Sequence, residues 1–413
     1  MITFTLPNGL RTIIAPSTTN VVYAGIAVAA GTRHELDSES GMAHFVEHMN
    51  FKGTQRLTSM QILNRMESVG GDLNAYTGKE ETVFYSVFMR EHLRRALPLL
   101  MDIVFNSTYP QAELEKEREV VIDEIESYLD TPAEQIYDDF EAKLFAGHPL
   151  GRNILGNAER LRQYTTADLR AFVSRTYSLE KAVLFVKGKV TEKEVRRLMG
   201  EPLPVHPMME EDSSPALSIR EGAVTNDFGK ADASGGESST HHQAHVMLGA
   251  RSYAMTDPRH IGLALLSNLL GGPALNSRLS LALRERTGLV YTVESNVTAY
   301  TDTGVWSVYF GCDHSDVQRC LRLVQRELQR LVDAPLSQRT LDAARRQMKG
   351  QMAIAADSFE NSALAMAKQF LLTGRTYTLE ERFAQLDALT PELLYEIACD
   401  IFEPSRLTSL IYQ

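Results

Sequence analysis

The segment His44-Phe45-Val46-Glu47-His48 carries three side chains whose types and spacing can do chemistry. On a helix, His44 and His48 stand four residues apart, one turn along one face. Two neutral imidazoles placed this way can hold one Zn2+ from one side. Glu47 stands beside His48 on the adjoining face, near enough to reach a water at the metal. Zinc lowers the pKa of such a water to roughly 7, and a carboxylate can then take its proton. The apolar neighbours Met42, Phe45, Val46, Met49 and Phe51 imply that this helix is buried. Buried imidazoles beside a buried carboxylate are costly without a ligand. A third protein ligand is needed to leave one open position for water. The helical segment 113–129 offers Glu113, Glu115, Glu117, Glu119, Asp123, Glu124 and Glu126, most of which fit an ordinary solvated face. Glu117 and Glu124 are seven apart and share a face. One can coordinate a metal while the other supports a ligand from behind, and spacing does not choose between them.

Positioning these residues takes a sizeable scaffold. The chain has 413 residues, 44% hydrophobic and 23% charged, a soluble globular composition sufficient for two or three domains. The formal net charge of -11 argues against a nucleic-acid or anionic-membrane surface and leaves room for a basic peptide substrate. Cys312, Cys320 and Cys399 show no paired spacing, so neither a disulfide framework nor a thiolate zinc site follows. The opening lacks a basic segment followed by a long apolar run, and Val21–Ala30 is too short to span a bilayer, so a cytoplasmic location is expected.

Around the histidine motif, Asn8-Gly9 predicts a hairpin between Thr3–Leu6 and Leu10–Ile14, with a third strand at Val21–Ala29. Ser38 or Ser40 is expected to cap the motif helix. Thr58 and Gln61 predict a capping box for a second helix that stops at Gly70-Gly71. Strands follow at Asp72–Thr77 and Thr82–Met89, helices at Glu91–Asn106, Gln111–Leu129, Pro132–Phe145 and Thr166–Tyr177, and a strand at Ala182–Val186. Residues 206–240 read as a linker with one short strand near Leu217–Ile219. The two halves then parallel each other. Asn74-Ala75-Tyr76-Thr77 precedes one apolar strand and Thr298-Ala299-Tyr300-Thr301 another, each followed by long helices. The expected fold is α+β, an internal duplication with an N-terminal domain over 1–205 and a homologous C-terminal domain over 241–413.

The motif and its surroundings resemble the pitrilysin/insulinase family of zinc peptidases, in its processing-peptidase-like bacterial branch. The resemblance runs through Leu6-Pro7-Asn8-Gly9-Leu10 and from Gly41 to Thr54, and extends over nearly the whole chain. It implies two α/β-sandwich-type domains, each an antiparallel-rich sheet packed with helices, forming half of a clamshell. It places the third ligand roughly 75 residues after the second histidine, the inverted zinc motif. Seventy-five residues separate His48 from Glu124, so the resemblance selects Glu124 as ligand and Glu117 as the supporting acid. It also matches Arg284-Glu285-Arg286-Thr287-Gly288-Leu289-Val290-Tyr291, which assigns Arg284 and Tyr291 to substrate backbone and tetrahedral intermediate. The resemblance also implies that Asn74 and Ala75 fall on an edge strand that pairs with substrate. Phe51 falls at the pocket beyond the scissile bond or simply in the core, and Glu134 and Asp138 fall where acids meet a basic side chain.

The implied activity is zinc-dependent endopeptidase action on unfolded peptides or short precursor segments, with one Zn2+ per chain. Glu47 is the implied general base, and a homodimer enclosing a chamber is the implied assembly. The second half lacks the HxxEH pattern, and Gly350 falls where duplication would place a third ligand, so only the first half is expected to bind zinc. Two readings compete: a non-catalytic peptide-binding subunit, and a subunit that needs a different partner chain. His241 and His242 read as solvent-exposed linker residues and His245 as structural.

Overall fold

In the computed structural model, which describes residues 1–200 and 243–413, the opening hairpin forms around Asn8-Gly9, with Gly9 at φ +90°. It joins β1 (Ile2–Thr5) and β2 (Arg11–Pro16). The chain continues through β3 (Val21–Val28), α1 (Met42–Met49), α2 (Ser59–Glu67), β4 (Asp72–Thr77), β5 (Thr82–Met89), α3 (Leu93–Phe105), α4 (Gln111–Leu129), α5 (Pro132–Leu144), α6 (Ala158–Leu161), α7 (Thr166–Thr176), β6 (Ala182–Gly188) and α8 (Glu192–Met199). After the undescribed residues come β7 (Ala244–Ser252), α9 (His260–Gly271), β8 (Val290–Ala299), β9 (Gly304–Cys312), α10 (Val317–Asp333), α11 (Gln338–Asp357), α12 (Phe359–Thr373), α13 (Leu379–Asp387), α14 (Pro391–Ile401) and β10 (Thr408–Tyr412). The linker 206–240, its strand near Leu217–Ile219, and His241 and His242 lie outside the described residues.

Two compact units result. The first sheet has the order β1-β2-β6-β3-β5-β4, with every pair antiparallel except β2–β6. The second has the order β10-β7-β9-β8 and is antiparallel throughout. Strand for strand, β6-β3-β5-β4 and β10-β7-β9-β8 follow the same path. This is the duplicated, antiparallel-rich α+β fold of two homologous domains.

The units depart from the sequence halves 1–205 and 241–413 in two reciprocal segments. The first unit takes Met1–Ser127 and residues 147–200 but also Ala356–Thr376; the second takes Tyr128–Ala146 along with residues 243–355 and Tyr377–Gln413. In the first unit, α3 covers one face of the sheet and α12 the other. Ile13, Ala27, Val83, Val183 and Phe185 pack there against Ala363, Met366, Ala367 and Phe370. In the second unit, α5 lies on β7 and β10, and Tyr412 donates to Asp139 at 2.5 Å. A sheet with two apolar faces must bury both, and each sheet covers its second face with a helix drawn from the other half of the chain.

Local sequence rules account for most boundaries. Thr58 and Gln61 form the expected capping box of α2. Thr191 and Glu194 form another for α8, a start signal that the sequence reading passed over. The expected Ser38 or Ser40 cap of α1 is not formed. Gly41 holds the N-cap at φ +78° without a side-chain bond, and the Glu35 carboxylate accepts from the N–H groups of Gly41 (3.3 Å) and Ala43 (2.9 Å). A Cβ at position 41 would stand 2.6 Å from the Leu155 carbonyl oxygen, so the close approach of the 155–156 loop admits only glycine there.

Candidate metal centre

Helix α1 is buried over nearly its whole length, with His44 7% and Glu47 8% exposed. Its four-residue spacing sets the two imidazoles edge to face, with ring centroids 4.6 Å apart at 72°. Helix α4 brings Glu124 to them. Its Oε2 lies 3.4 Å from His48 Nε2 and 3.9 Å from His44 Nε2. One donor atom from each of the three residues lies within 4.8 Å of the others, the one such group of His, Cys, Asp or Glu among the described residues. Two donors bound tetrahedrally about 2.1 Å from one ion stand about 3.4 Å apart. Two imidazoles and a carboxylate at this separation therefore fit zinc in spacing and in donor chemistry.

Glu117, two helical turns before Glu124, reaches the back of His48. Its Oε1 lies 3.0 Å from His48 Nδ1, and its Oε2 pairs with Lys52 Nζ at 2.5 Å. In the neutral ring, a proton on Nδ1 facing this carboxylate leaves the Nε2 lone pair for a metal. Burial would lower the pKa of His48, but the hydrogen bonds to Glu117 and Glu124 and the charge of Glu47 outweigh it and raise it to about 9. Burial, with the neighbouring His48, pushes His44 down to about 4. Burial acts against the Glu117 charge as well, yet His48 and Lys52 hold its carboxyl below the usual range. The hydrogen bond from His48 does the same for Glu124.

Glu47 faces the β4–β5 hairpin. Its Oε2 accepts from the Thr77 hydroxyl at 2.5 Å, and burial raises its pKa to about 6 against the lowering effect of that bond. Such a carboxylate is ionised at neutral pH and retains affinity for a proton.

Strand β4 is the outermost strand of its sheet, with Asn74 exposed and Ala75 half-buried opposite Tyr85 and Phe84. Phe51 packs on the core, its ring 6.0 Å from that of Phe84.

In the second unit, Arg284 lies in a π-helical turn, Ser280–Glu285, and pairs with Glu285 at 3.0 Å. Tyr291 lies at a bulge of β8. Val290 and Val293 oppose Cys312 and Phe310, so one extra residue is inserted and Tyr291 is turned outward, 86% exposed. Arg284 and Tyr291 line one open cavity of about 380 Å³ with Gly271, Gly272 and Ser280. Glu134 and Asp138 lie on α5, and Asp138 accepts from the Tyr128 hydroxyl at 2.8 Å. His245 of β7 stands 2.9 Å from the hydroxyl of Tyr309 in β9, and a Cβ at Gly350 would meet open space.

The sequence reading missed Lys52, Thr77 and Glu35 as site residues. Lys52 stands four residues after His48, a spacing that could have pointed to it. Thr77 and Glu35 come to the site by strand register and loop packing, for which no short-range signal exists.

Comparison with known proteins places this arrangement in context. The model of the family described as Insulinase (Peptidase family M16) matches residues 11–158. The model described as Peptidase M16 inactive domain matches residues 163–348. The Bacillus subtilis (strain 168) protein named Uncharacterized zinc protease YmxG is 30% identical over 412 residues, covering 99% of this chain and 97% of that protein. Mitochondrial-processing peptidase subunit beta of Rattus norvegicus is 30% identical over 408 residues, covering 95% of this chain and 80% of that protein. In fold, the chain is similar to a crystal structure of a protease from Helicobacter pylori, with a TM-score of 0.88 at 22% identity over 99% of this chain and 98% of that one.

Proposed function

The chain belongs to the insulinase family, peptidase family M16, and on that premise we propose that it is a zinc-dependent endopeptidase hydrolysing unfolded peptides or short precursor segments, with one zinc per chain. The observation that carries this reading is the convergence of His44, His48 and Glu124, with donor atoms within 4.8 Å of one another beside the anchored carboxylate of Glu47. When bound, zinc lowers the pKa of a water and polarises a carbonyl oxygen. The chain's own residues supply the rest. Glu47 accepts a proton from the attacking water and delivers it to the leaving amine nitrogen. Glu117 fixes the ring of His48. Arg284 and Tyr291 donate to the substrate carbonyl as negative charge develops on it. The edge position of β4 suits backbone pairing with an extended peptide, which gives affinity with little reading of sequence. Glu134 is the more available acid for a basic residue near the cut, because Asp138 already accepts a phenol. A homodimer with an enclosed chamber, which would exclude folded proteins, and a cytoplasmic location complete the proposal.

The test is digestion of a mixed library of unfolded peptides by zinc-loaded protein, with products read by mass spectrometry, beside Glu47→Gln. Wild type is expected to cleave and Glu47→Gln to retain zinc and peptide binding without turnover. Equal rates for the two proteins at matched zinc content would remove Glu47 from its role. No cleavage by either at full zinc occupancy would shift the reading to a non-catalytic or partner-dependent subunit.

A further inference from the structure

We propose that Thr77 is a positioning residue for the general base, a hydroxyl whose single proton fixes which oxygen of Glu47 is free to act; this rests on the peptidase reading above. The geometry favours one destination for the proton. Thr77 Oγ1 lies 2.5 Å from Glu47 Oε2 and 3.4 Å from Thr82 Oγ1, its cross-strand partner. The Thr82 hydroxyl donates to the Ala30 carbonyl at 2.6 Å, so its own proton is spent there. An ionised carboxylate can only accept and lies far closer than Thr82, so Thr77 donates to Glu47, and the carboxylate is pinned through Oε2 with Oε1 left for the reacting proton.

Only a rigid donor can hold a carboxylate in this way, and the hairpin tip next to Thr77 is clamped. The backbone carbonyls of Gly78 and Lys79 accept from Thr32 (3.3 Å) and Arg33 (2.8 Å). Lys79 Nζ donates to the Arg152 carbonyl at 2.6 Å, Glu80 pairs with Arg33 at 2.6 Å, and Glu81 pairs with Lys368 of α12 at 2.6 Å. Lys79, Glu80 and Glu81 are all buried. A turn of three buried charges, each tied to a different segment, is far stiffer than an ordinary hairpin tip of solvated residues. Strand β4 thus joins an exposed part around Asn74 to a fixed end that holds Glu47.

The experiment measures steady-state kinetics of wild type, Thr77→Val, Thr77→Ser and Glu47→Gln, all zinc-loaded, on a quenched fluorogenic peptide chosen from the cleaved library members. Valine keeps the β-branched shape that a strand favours and replaces the hydroxyl with a methyl group that cannot donate. The expected result is a kcat for Thr77→Val reduced about a hundredfold, as for a misplaced catalytic group. KM should stay within about twofold, as for a contact that matters only in the transition state. Zinc content should be unchanged, and Thr77→Ser should recover most of the rate. Four results would overturn the proposal: a wild-type kcat in Thr77→Val, an equal loss in Thr77→Ser, a loss confined to KM, or a loss of zinc from Thr77→Val. Should Thr77→Val fail to fold by circular dichroism, Thr77→Ala takes its place in the same comparison. The Glu47→Gln arm separates the two levels. An inactive Glu47→Gln beside a fully active Thr77→Val sinks the positioning role alone, whereas an active Glu47→Gln sinks the base and Thr77 with it.

Discussion

Glu117 is not among the three grouped donors, yet its bond to His48 Nδ1 leaves Nε2 of the neutral ring for a metal. Its charge is in turn balanced by Lys52 at 2.5 Å. A carboxylate behind a ligand histidine both orients the ring and raises its donor strength. Replacing Glu117 by glutamine keeps the shape and removes the charge. The expected outcome is zinc affinity reduced about 10- to 100-fold, read by competition with a chelator at fixed pH. An unchanged affinity would mean that ring packing alone holds His48. The residue types His44, Glu47 and His48 were legible from their spacing because one helical turn relates them. Glu117 and Glu124 were legible only as a pair on one face, because nothing local says which of two acids on a helix meets a distant metal.

At the scale of elements, α1 is held at its N-terminus by the buried carboxyl group of Glu35 in place of the expected serine. Burial raises the Glu35 pKa from 4.5 to about 8, although two backbone N–H bonds and Arg152 act against it. The sign for stability follows directly. Below pH 4.5 the group is protonated in both folded and unfolded chains. Between 4.5 and about 8 the unfolded chain ionises first, so the group's contribution to stability falls across that window and stays lost above it. Glu35→Gln removes this titration. Denaturant unfolding measured from pH 5 to 8 should show a shallower fall in stability for Glu35→Gln than for wild type; parallel curves would refute the assignment. The strands and helices themselves were readable from period, caps and turn residues. The cap of α1 was not, because it depends on Glu35 and Leu155, which reach Gly41 only through the folded loops.

For the molecule as a whole, the exchange of segments makes each unit depend on both halves of the sequence. Phe370 of α12 is 8% exposed against the first sheet. Phe370→Ala should cost about 3 kcal/mol by denaturant unfolding, through lost burial and the cavity left behind. A loss below about 0.5 kcal/mol, the range of surface substitutions, would show that α12 contributes little to that core. By the same logic, residues 1–205 produced alone would expose the face formed by Ile13, Ala27, Val183 and Phe185. That fragment should aggregate or lack fixed packing by size exclusion and near-UV circular dichroism. A monomeric, fully structured fragment would contradict the exchange.

The sequence by itself determined the paired histidines with their carboxylate, the duplication and nearly every element, because one-turn spacing, alternation, caps and turns are encoded by neighbours. Tertiary structure alone decided what those neighbours cannot reach. It set Thr77 against Glu47 through strand register, Glu35 beneath α1 through loop packing, and Tyr291 outward through a bulge in β8. It also set α5 and α12 on the sheet of the opposite half, because burying the second face of each sheet is a requirement of the folded whole and leaves no mark at short range.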